Sequence, residues 1–144
     1  MANFTTKQIQ EVWDKAIVIE GYDPQKFRKD AANAWISFSD YGKTTQFGWT
    51  IDHVIPQSMF AEGTPPAKIN KEVNLRAMHW RNNQSKKDSF PEYDVAVTSY
   101  GNQNIETKEK KIVNQQLFKQ LRQEYNLELV IKSNPDVYKE YYNC

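Results

Sequence analysis

The sequence predicts a single α+β domain that covers all 144 residues. This length suits one hydrophobic core, and aromatic residues, at 13% of the chain, supply large side chains for it. Apolar residues recur at helical spacing from Thr5 or Thr6 to about Ala16, and again over residues 105–125. Phe47, Trp49 and Ile51 are spaced by two, which is typical of a strand with one buried face.

Apolar spacing and turn residues divide the rest of the chain into shorter elements. In chain order we predict a short helix from Pro24 towards Asp30, strands at 34–38 and 75–78, a helix at 79–88, strands at 94–97 and 127–131, and a last short helix from Asn134. The loop at 57–73 contains Gly63, Pro65 and Pro66, so we expect little regular structure there. A loop of this length indicates a functional role.

Composition predicts a cytoplasmic protein with no membrane segment. The chain has no apolar run long enough to span a membrane and no signal-peptide pattern. Its one cysteine, Cys144, agrees with a reducing compartment and rules out a zinc site built on paired cysteines. The core must therefore be held by packing.

Basic charge is concentrated in one segment. The net charge is only +1, but residues 68–87 carry six basic side chains against Glu72, so this segment is +5 and the remainder is −4. Such a concentration favours binding to phosphate groups. A charge run of this size is also typical of an ordinary solvated face, so it supports nucleic-acid binding without establishing it.

Two short stretches carry side chains suited to metal-assisted chemistry. Asp52 and His53 follow the alternating strand, where a neutral imidazole can accept a proton from water and a carboxylate suits Mg²⁺ or Mn²⁺. His79 and Asn83 lie one helical turn apart, and Lys86 at i+3 from Asn83 could reach a phosphate. Each pair alone is more often an ordinary polar pair. Together they are typical of a one-metal phosphodiesterase site.

Strand geometry restricts this site. Neighbouring residues of a regular strand point to opposite faces, so Asp52 and His53 can serve one centre only if the strand ends or twists at that point. We therefore expect the strand to end or twist there, with a phosphate held at its tip. Pro56 then marks the exit into the loop.

These residues resemble the HNH endonucleases, whose fold is a ββα-metal core. The matching pattern is Asp52-His53 with Pro56 and Ser58, then Asn74-Leu75, then Asn83 with Lys86, inside a motif core of about 47–90. The phrase DHVIPQSMF is also similar to the HNH nuclease domain of RNA-guided CRISPR effectors. The similarity covers the motif and not the whole chain.

The resemblance implies a role for each matching position. His53 would be the general base, Asp52 and Asn83 the metal ligands, and Asn74 a brace for the loop. His79 stands where colicin-type nucleases place a further ligand, although a helix-start residue that holds the loop is an equally good interpretation. The residues expected to contact the DNA backbone are Arg76, Arg81, Lys86 and Lys87.

The expected function is metal-dependent hydrolysis of DNA, with N- and C-terminal helices flanking the ββα core. Mg²⁺ or Mn²⁺ is the expected ion, and Ni²⁺, Co²⁺ or Zn²⁺ would also be admitted if His79 is a ligand. Restriction, phage DNA processing, homing and toxicity remain open roles, and an immunity or regulatory protein is a partner that some of them involve. Two alternatives stay open: an HNH-like domain that binds nucleic acid without cutting, and an interaction module with a structural metal.

Overall fold

The computed structural model describes residues 3–125 and shows the mixed helix and strand content that the sequence predicts. The helices in this part of the chain are α1 (Thr6–Asp14), α2 (Pro66–Ile69), α3 (Trp80–Lys86) and α4 (Gln115–Glu124). The strands are β1 (Phe27–Lys29), β2 (Trp35–Ser37), β3 (Trp49–His53), β4 (Leu75–His79), β5 (Glu92–Asp94), β6 (Val97–Tyr100), β7 (Gln103–Glu106) and β8 (Lys110–Ile112). None of the helices described could cross a membrane.

The strands form small antiparallel pairs and not one continuous sheet. The pairs are β1–β2, β3–β4, β5–β8 and β6–β7. The β3–β4 pair lies at the centre, because α1 covers one of its faces and α3, which follows β4 directly, contacts both of its strands. The chain from β3 to α3 therefore has the order strand, loop, strand, helix.

Helix α1 begins where the sequence predicts. Thr5 accepts a hydrogen bond from the Gln8 backbone, and the Gln8 side chain accepts one from the Thr5 backbone, which completes a capping box. The buried side chains of α1, Val12 and Trp13, then contact the inner face of the β3–β4 pair. A cluster of seven buried residues fixes this face: Val12, Trp13, Ile36, Trp49, Ile51, Leu75 and Ala77.

Strand β3 ends at His53, as expected, but its pairing is regular through that residue, so the strand does not twist to bring Asp52 and His53 to one face. Asp52 pairs with Arg76 and His53 pairs with Leu75 in an unbroken antiparallel register. The hydrogen bonds of the β4 strand hold His53 in the ladder, and the alternation of side chains continues through it. Asp52 thus contacts side chains from β4 and α3, whereas His53 lies towards Phe4 and the loop.

Several predicted elements are confirmed. The N-terminal helix, the strand at 34–38, the strand pair of the motif and the helix after it all occur, with bounds shifted by at most two residues. The turn between β6 and β7 contains Gly101, which has the positive φ of 59° that glycine accommodates. The predicted strand at 127–131, the last helix and Cys144 lie outside the described residues.

Three other predictions are wrong. No helix follows Pro24; the chain turns there and enters β1. The predicted helix at 105–125 is a helix only from Gln115, because its first half is drawn into β7 and β8 by pairing with β6 and β5. The loop at 57–73 contains the one-turn helix α2, which Pro66 starts by supplying a helical φ at its first position.

Candidate active site

The long loop between β3 and β4 is closed by the side chain of Asn74. Its Oδ1 accepts a hydrogen bond from the Ile55 amide at 2.7 Å, and its Nδ2 donates to the carbonyls of Ile55 and Ile69. Asn74 is completely buried. One amide therefore joins the exit from β3, the end of α2 and the entry to β4, which is the geometry that a loop brace requires.

His53 lies at the end of β3, where the strand pair opens into this loop. Its ring is half-buried, with its centroid 6.0 Å from that of Phe4. Nε2 lies 2.6 Å from Oδ1 of Asn70, the residue that follows α2. The imidazole thus has an ordered partner and keeps partial access to solvent, as a proton acceptor requires.

Asp52 is buried between two cations. Its Oδ2 accepts a hydrogen bond from Nε of Arg76 at 3.0 Å, and its Oδ1 lies 3.3 Å from Nζ of Lys86. Lys86 is also fully buried, although the sequence suggested a phosphate contact, and its Nζ donates to the His53 carbonyl. The Arg76 guanidinium lies 5.1 Å from the centre of the Tyr93 ring. These four side chains, which come from β3, β4, α3 and β5, form a largely buried polar layer.

The two cations respond differently to burial. Burial lowers the pKa of the Arg76 guanidinium, but the charge and hydrogen bond of Asp52 outweigh burial, and the net pKa is raised above its ordinary value. For Lys86, burial is the larger effect and lowers the pKa despite the nearby Asp52 carboxylate. The charged form of Arg76 is thus favoured beside Asp52, whereas burial disfavours the charged form of Lys86.

Asn83 lies on the face of α3 that meets β3. Its Nδ2 donates to Oγ1 of Thr50 at 2.7 Å. Thr50 and Asp52 are two residues apart on β3 and therefore share a face, so the structure brings Asp52 and Asn83 to the same side of the strand pair. It does not bring the His53 ring to that face.

Both ring nitrogens of His79 form hydrogen bonds at the start of α3. Its Nδ1 accepts the Arg81 amide at 3.1 Å, which caps the helix, and its Nε2 must then donate to the Gln46 carbonyl at 2.7 Å. Burial lowers the pKa of this imidazole. With no ring nitrogen left to bind an ion, His79 has the geometry of the helix-start residue, and we withdraw it from the proposed ligands.

His79→Ala is therefore expected to change stability and not metal preference. The substitution removes a helix cap and a buried hydrogen bond, so we expect a loss of about 1–3 kcal/mol in the free energy of unfolding. Urea denaturation measures this loss, and calorimetric titration with Ni²⁺ and Mg²⁺ measures affinity. A selective loss of Ni²⁺ affinity would restore His79 as a ligand.

A second buried carboxylate, which sequence patterns did not single out, fixes the start of α3. Asp30 accepts hydrogen bonds from the amides of Ala32 and Ala34 through Oδ1, and from the His79 amide and the Asn82 side chain through Oδ2. Burial raises the pKa of Asp30, although these hydrogen bonds oppose the effect. The only local signal, an Asp at the first position of a turn, does not predict a contact 49 residues away.

The basic segment is only partly available to a ligand. Lys86 is buried beside Asp52, and the partly buried Arg76 donates its Nε hydrogen bond to the same carboxylate, so we withdraw both from the proposed DNA contacts. Arg81 is at the surface, where it pairs with Glu106. Lys87 is exposed and ends α3 at φ 50°, a backbone conformation that favours glycine. Arg81 and Lys87 remain as predicted backbone contacts.

Comparison with known proteins gives no match: no family model, no curated protein and no solved structure matches this chain. Among residues 3–125, no three side chains of histidine, cysteine, aspartate or glutamate come together as a metal-binding group. The oxygen donors that share a face of β3–β4 and match the proposed ligands are one carboxylate and one amide, those of Asp52 and Asn83.

Proposed function

We propose that this protein is a metal-dependent DNA endonuclease of the HNH type. The observation that carries the proposal is the order of elements around Asp52-His53. The two residues end a strand, an asparagine-braced loop leads to the antiparallel partner strand, and the helix that follows presents Asn83 to the same pair. This is the arrangement implied by the resemblance of the motif to HNH endonucleases.

The residue types fit a hard divalent ion. Asp52 and Asn83 would hold it through a carboxylate oxygen and an amide oxygen, which are donors that Mg²⁺ and Mn²⁺ accept. When bound, the ion would supply positive charge to the phosphate and the departing 3′ oxygen. The ammonium of Lys86 now lies beside Asp52 Oδ1, so an ion at that oxygen requires Lys86 to move away.

His53 would act from the end of the strand. It is the last paired residue of β3, so its ring lies at the tip of the strand pair and not along its length. A neutral imidazole there can remove a proton from a water molecule that attacks a phosphate at the tip. Arg81 and Lys87, at the two ends of α3, would position the DNA backbone.

One observation favours a second function, an HNH-like domain that binds nucleic acid without cutting it. Asp52 is only 3% exposed and both of its oxygens face cations of the protein itself. A carboxylate paired in this way is neutralised without a metal. In that case the buried layer would serve stability alone, and the basic surface would account for binding.

A nicking assay with supercoiled plasmid separates these functions. We expect nicking with Mg²⁺ or Mn²⁺ and none with a chelator, while the melting temperature changes little on chelation because packing holds the core. Binding of DNA without nicking would support the second function. A melting temperature that depends strongly on metal, without nicking, would support a structural metal in an interaction module.

Asn83→Ala is expected to weaken Mg²⁺ binding by about tenfold or more, because few protein ligands remain to compensate for a lost oxygen. Calorimetric titration measures the affinity. Thr50→Val is the matched control, since it removes the hydrogen-bond partner of Asn83 but leaves the amide oxygen in place. Equal affinities in wild type and Asn83→Ala would move the metal site elsewhere.

A further inference from the structure

The tautomer of His53 is determined by its neighbour Asn70. A carbonyl oxygen can only accept a hydrogen bond, so the 2.6 Å contact with Asn70 Oδ1 requires that His53 Nε2 carries the proton. In the neutral ring, Nδ1 then holds the lone pair. Within residues 3–125 this contact is the only hydrogen bond of the ring, so Nδ1 is left to accept a proton.

Asn70 is held in place independently of His53. It follows α2, and its backbone amide donates to the Pro66 carbonyl at 2.8 Å. The carbonyl of its neighbour Ile69 accepts from Nδ2 of Asn74, so the same brace that closes the loop also fixes the base of the Asn70 side chain. The backbone that carries this amide is therefore positioned by the loop and not by the imidazole.

We propose that Asn70 is a positioning residue that holds His53 as its Nε2–H tautomer and thereby assigns Nδ1 as the general base. The proposal rests on the endonuclease function above. A water molecule gives its proton to Nδ1, its oxygen bonds to phosphorus, and the bond from phosphorus to the 3′ oxygen breaks. The leaving oxygen takes a proton from solvent. The imidazolium keeps its Nε2–H bond to the Asn70 carbonyl, which becomes charge-assisted and stronger.

This role explains why the loop between β3 and β4 is ordered through α2. His53 and Asn70 are 17 residues apart, and only a fixed loop can return an amide to the end of β3. Without the acceptor, a neutral imidazole exchanges its proton between the two nitrogens, and part of the population then presents Nδ1–H to the water. That part cannot act as a base through Nδ1.

The test begins with the tautomer itself. The chain has two histidines, so ring-¹⁵N labelling gives two spin systems in long-range ¹H–¹⁵N spectra. When the spectra show the neutral form of the ring, His53 should have a protonated Nε2 and an unprotonated Nδ1. His79 should show the same pattern, because the Arg81 amide and the Gln46 carbonyl fix its two nitrogens, and it serves as the internal standard.

Two variants of Asn70 then separate positioning from folding. Asn70→Leu removes the acceptor, and Asn70→Asp keeps one of similar shape. The backbone at this position has φ −93° and ψ 22°, which other residues can adopt. We expect Asn70→Leu to give a mixed tautomer at His53 with His79 unchanged. We also expect kcat to fall by about 10- to 100-fold with little change in KM, because the ring loses its orienting partner and the imidazolium loses its charge-assisted acceptor. Asn70→Asp should keep the tautomer and retain more of kcat than Asn70→Leu.

The outcomes distinguish this inference from the proposed function. An Nδ1–H pattern at His53 in the wild type, or no change of tautomer in Asn70→Leu, overturns the role of Asn70. An equal loss of kcat in both variants with the His53 tautomer intact also overturns it. A wild-type protein that has the predicted tautomer but does not nick plasmid overturns the endonuclease function and supports the Asn70–His53 contact.

Discussion

Replacing His53 with alanine is expected to reduce plasmid nicking by about 10²- to 10⁴-fold, the usual contribution of a general base. Stability should change little, because the ring is half-buried and makes one side-chain hydrogen bond to the part of the chain that the structure describes. The measurement is the initial rate of nicking in Mg²⁺, beside a urea denaturation curve and a Mg²⁺ titration. Mg²⁺ affinity should be nearly unchanged, since His53 is proposed as the base and not as a ligand.

His79→Ala is the matched control for this result, because it removes the other histidine of the chain. It should lower stability while nicking persists under conditions where the variant is folded. His53→Ala should therefore lower the nicking rate with little change in stability, whereas His79→Ala should lower stability and leave nicking in place. Nicking by His53→Ala at close to the wild-type rate would exclude His53 as the base.

Asp52→Ala is expected to have the largest effect on stability. It leaves Arg76 and Lys86 buried without their counter-ion, and breaking a buried ion pair by removing one partner costs about 3–5 kcal/mol. Urea denaturation in the presence of a chelator measures this loss without any contribution from metal. A loss of this size would show that the carboxylate stabilises the fold as a counter-ion, whether or not it also binds a metal.

An exposed pair on the same protein provides the control. Asp94 and Lys110 lie 2.9 Å apart on the β5–β8 pair, and both side chains are largely in solvent. Asp94→Ala should have no measurable effect on unfolding, because solvent screens such a pair. If Asp52→Ala costs no more than Asp94→Ala, the buried layer does not stabilise the fold as its geometry indicates.

Local patterns predicted the centre of the fold because its signals are short in range. The alternation at Trp49 and Ile51, and Pro56 at the exit from the strand, need no knowledge of distant residues. The helix predicted over residues 105–125 is present only from Gln115, because in its first half the helical spacing competes with strand pairing to β5 and β6, which is set by residues earlier in the chain. Tertiary pairing outweighs a propensity of this size.

The same difference between short-range signals and long-range contacts explains how much of the site could be predicted. The sequence could place Asp52 and Asn83 on suitable elements, but the register that sets Arg76 opposite Asp52 depends on where the long loop closes. Lys86 was predicted to face a phosphate, yet it lies four residues after the buried Asn82, and that spacing equally permits an inward position. Asn70 and Asp30 carry no motif, and only their contacts reveal them.

The contacts of Asp30 show that the motif core depends on residues that lie outside it. The acceptors for the His79 amide and the Asn82 side chain come from the turn after β1, outside the motif core at 47–90. The Trp49 ring likewise packs against Trp13 in α1, which is also outside the motif core. Transplanting the strand–loop–strand–helix unit alone would leave buried donors unsatisfied and an indole uncovered. A graft to another scaffold must therefore include the N-terminal forty residues or replace what they supply.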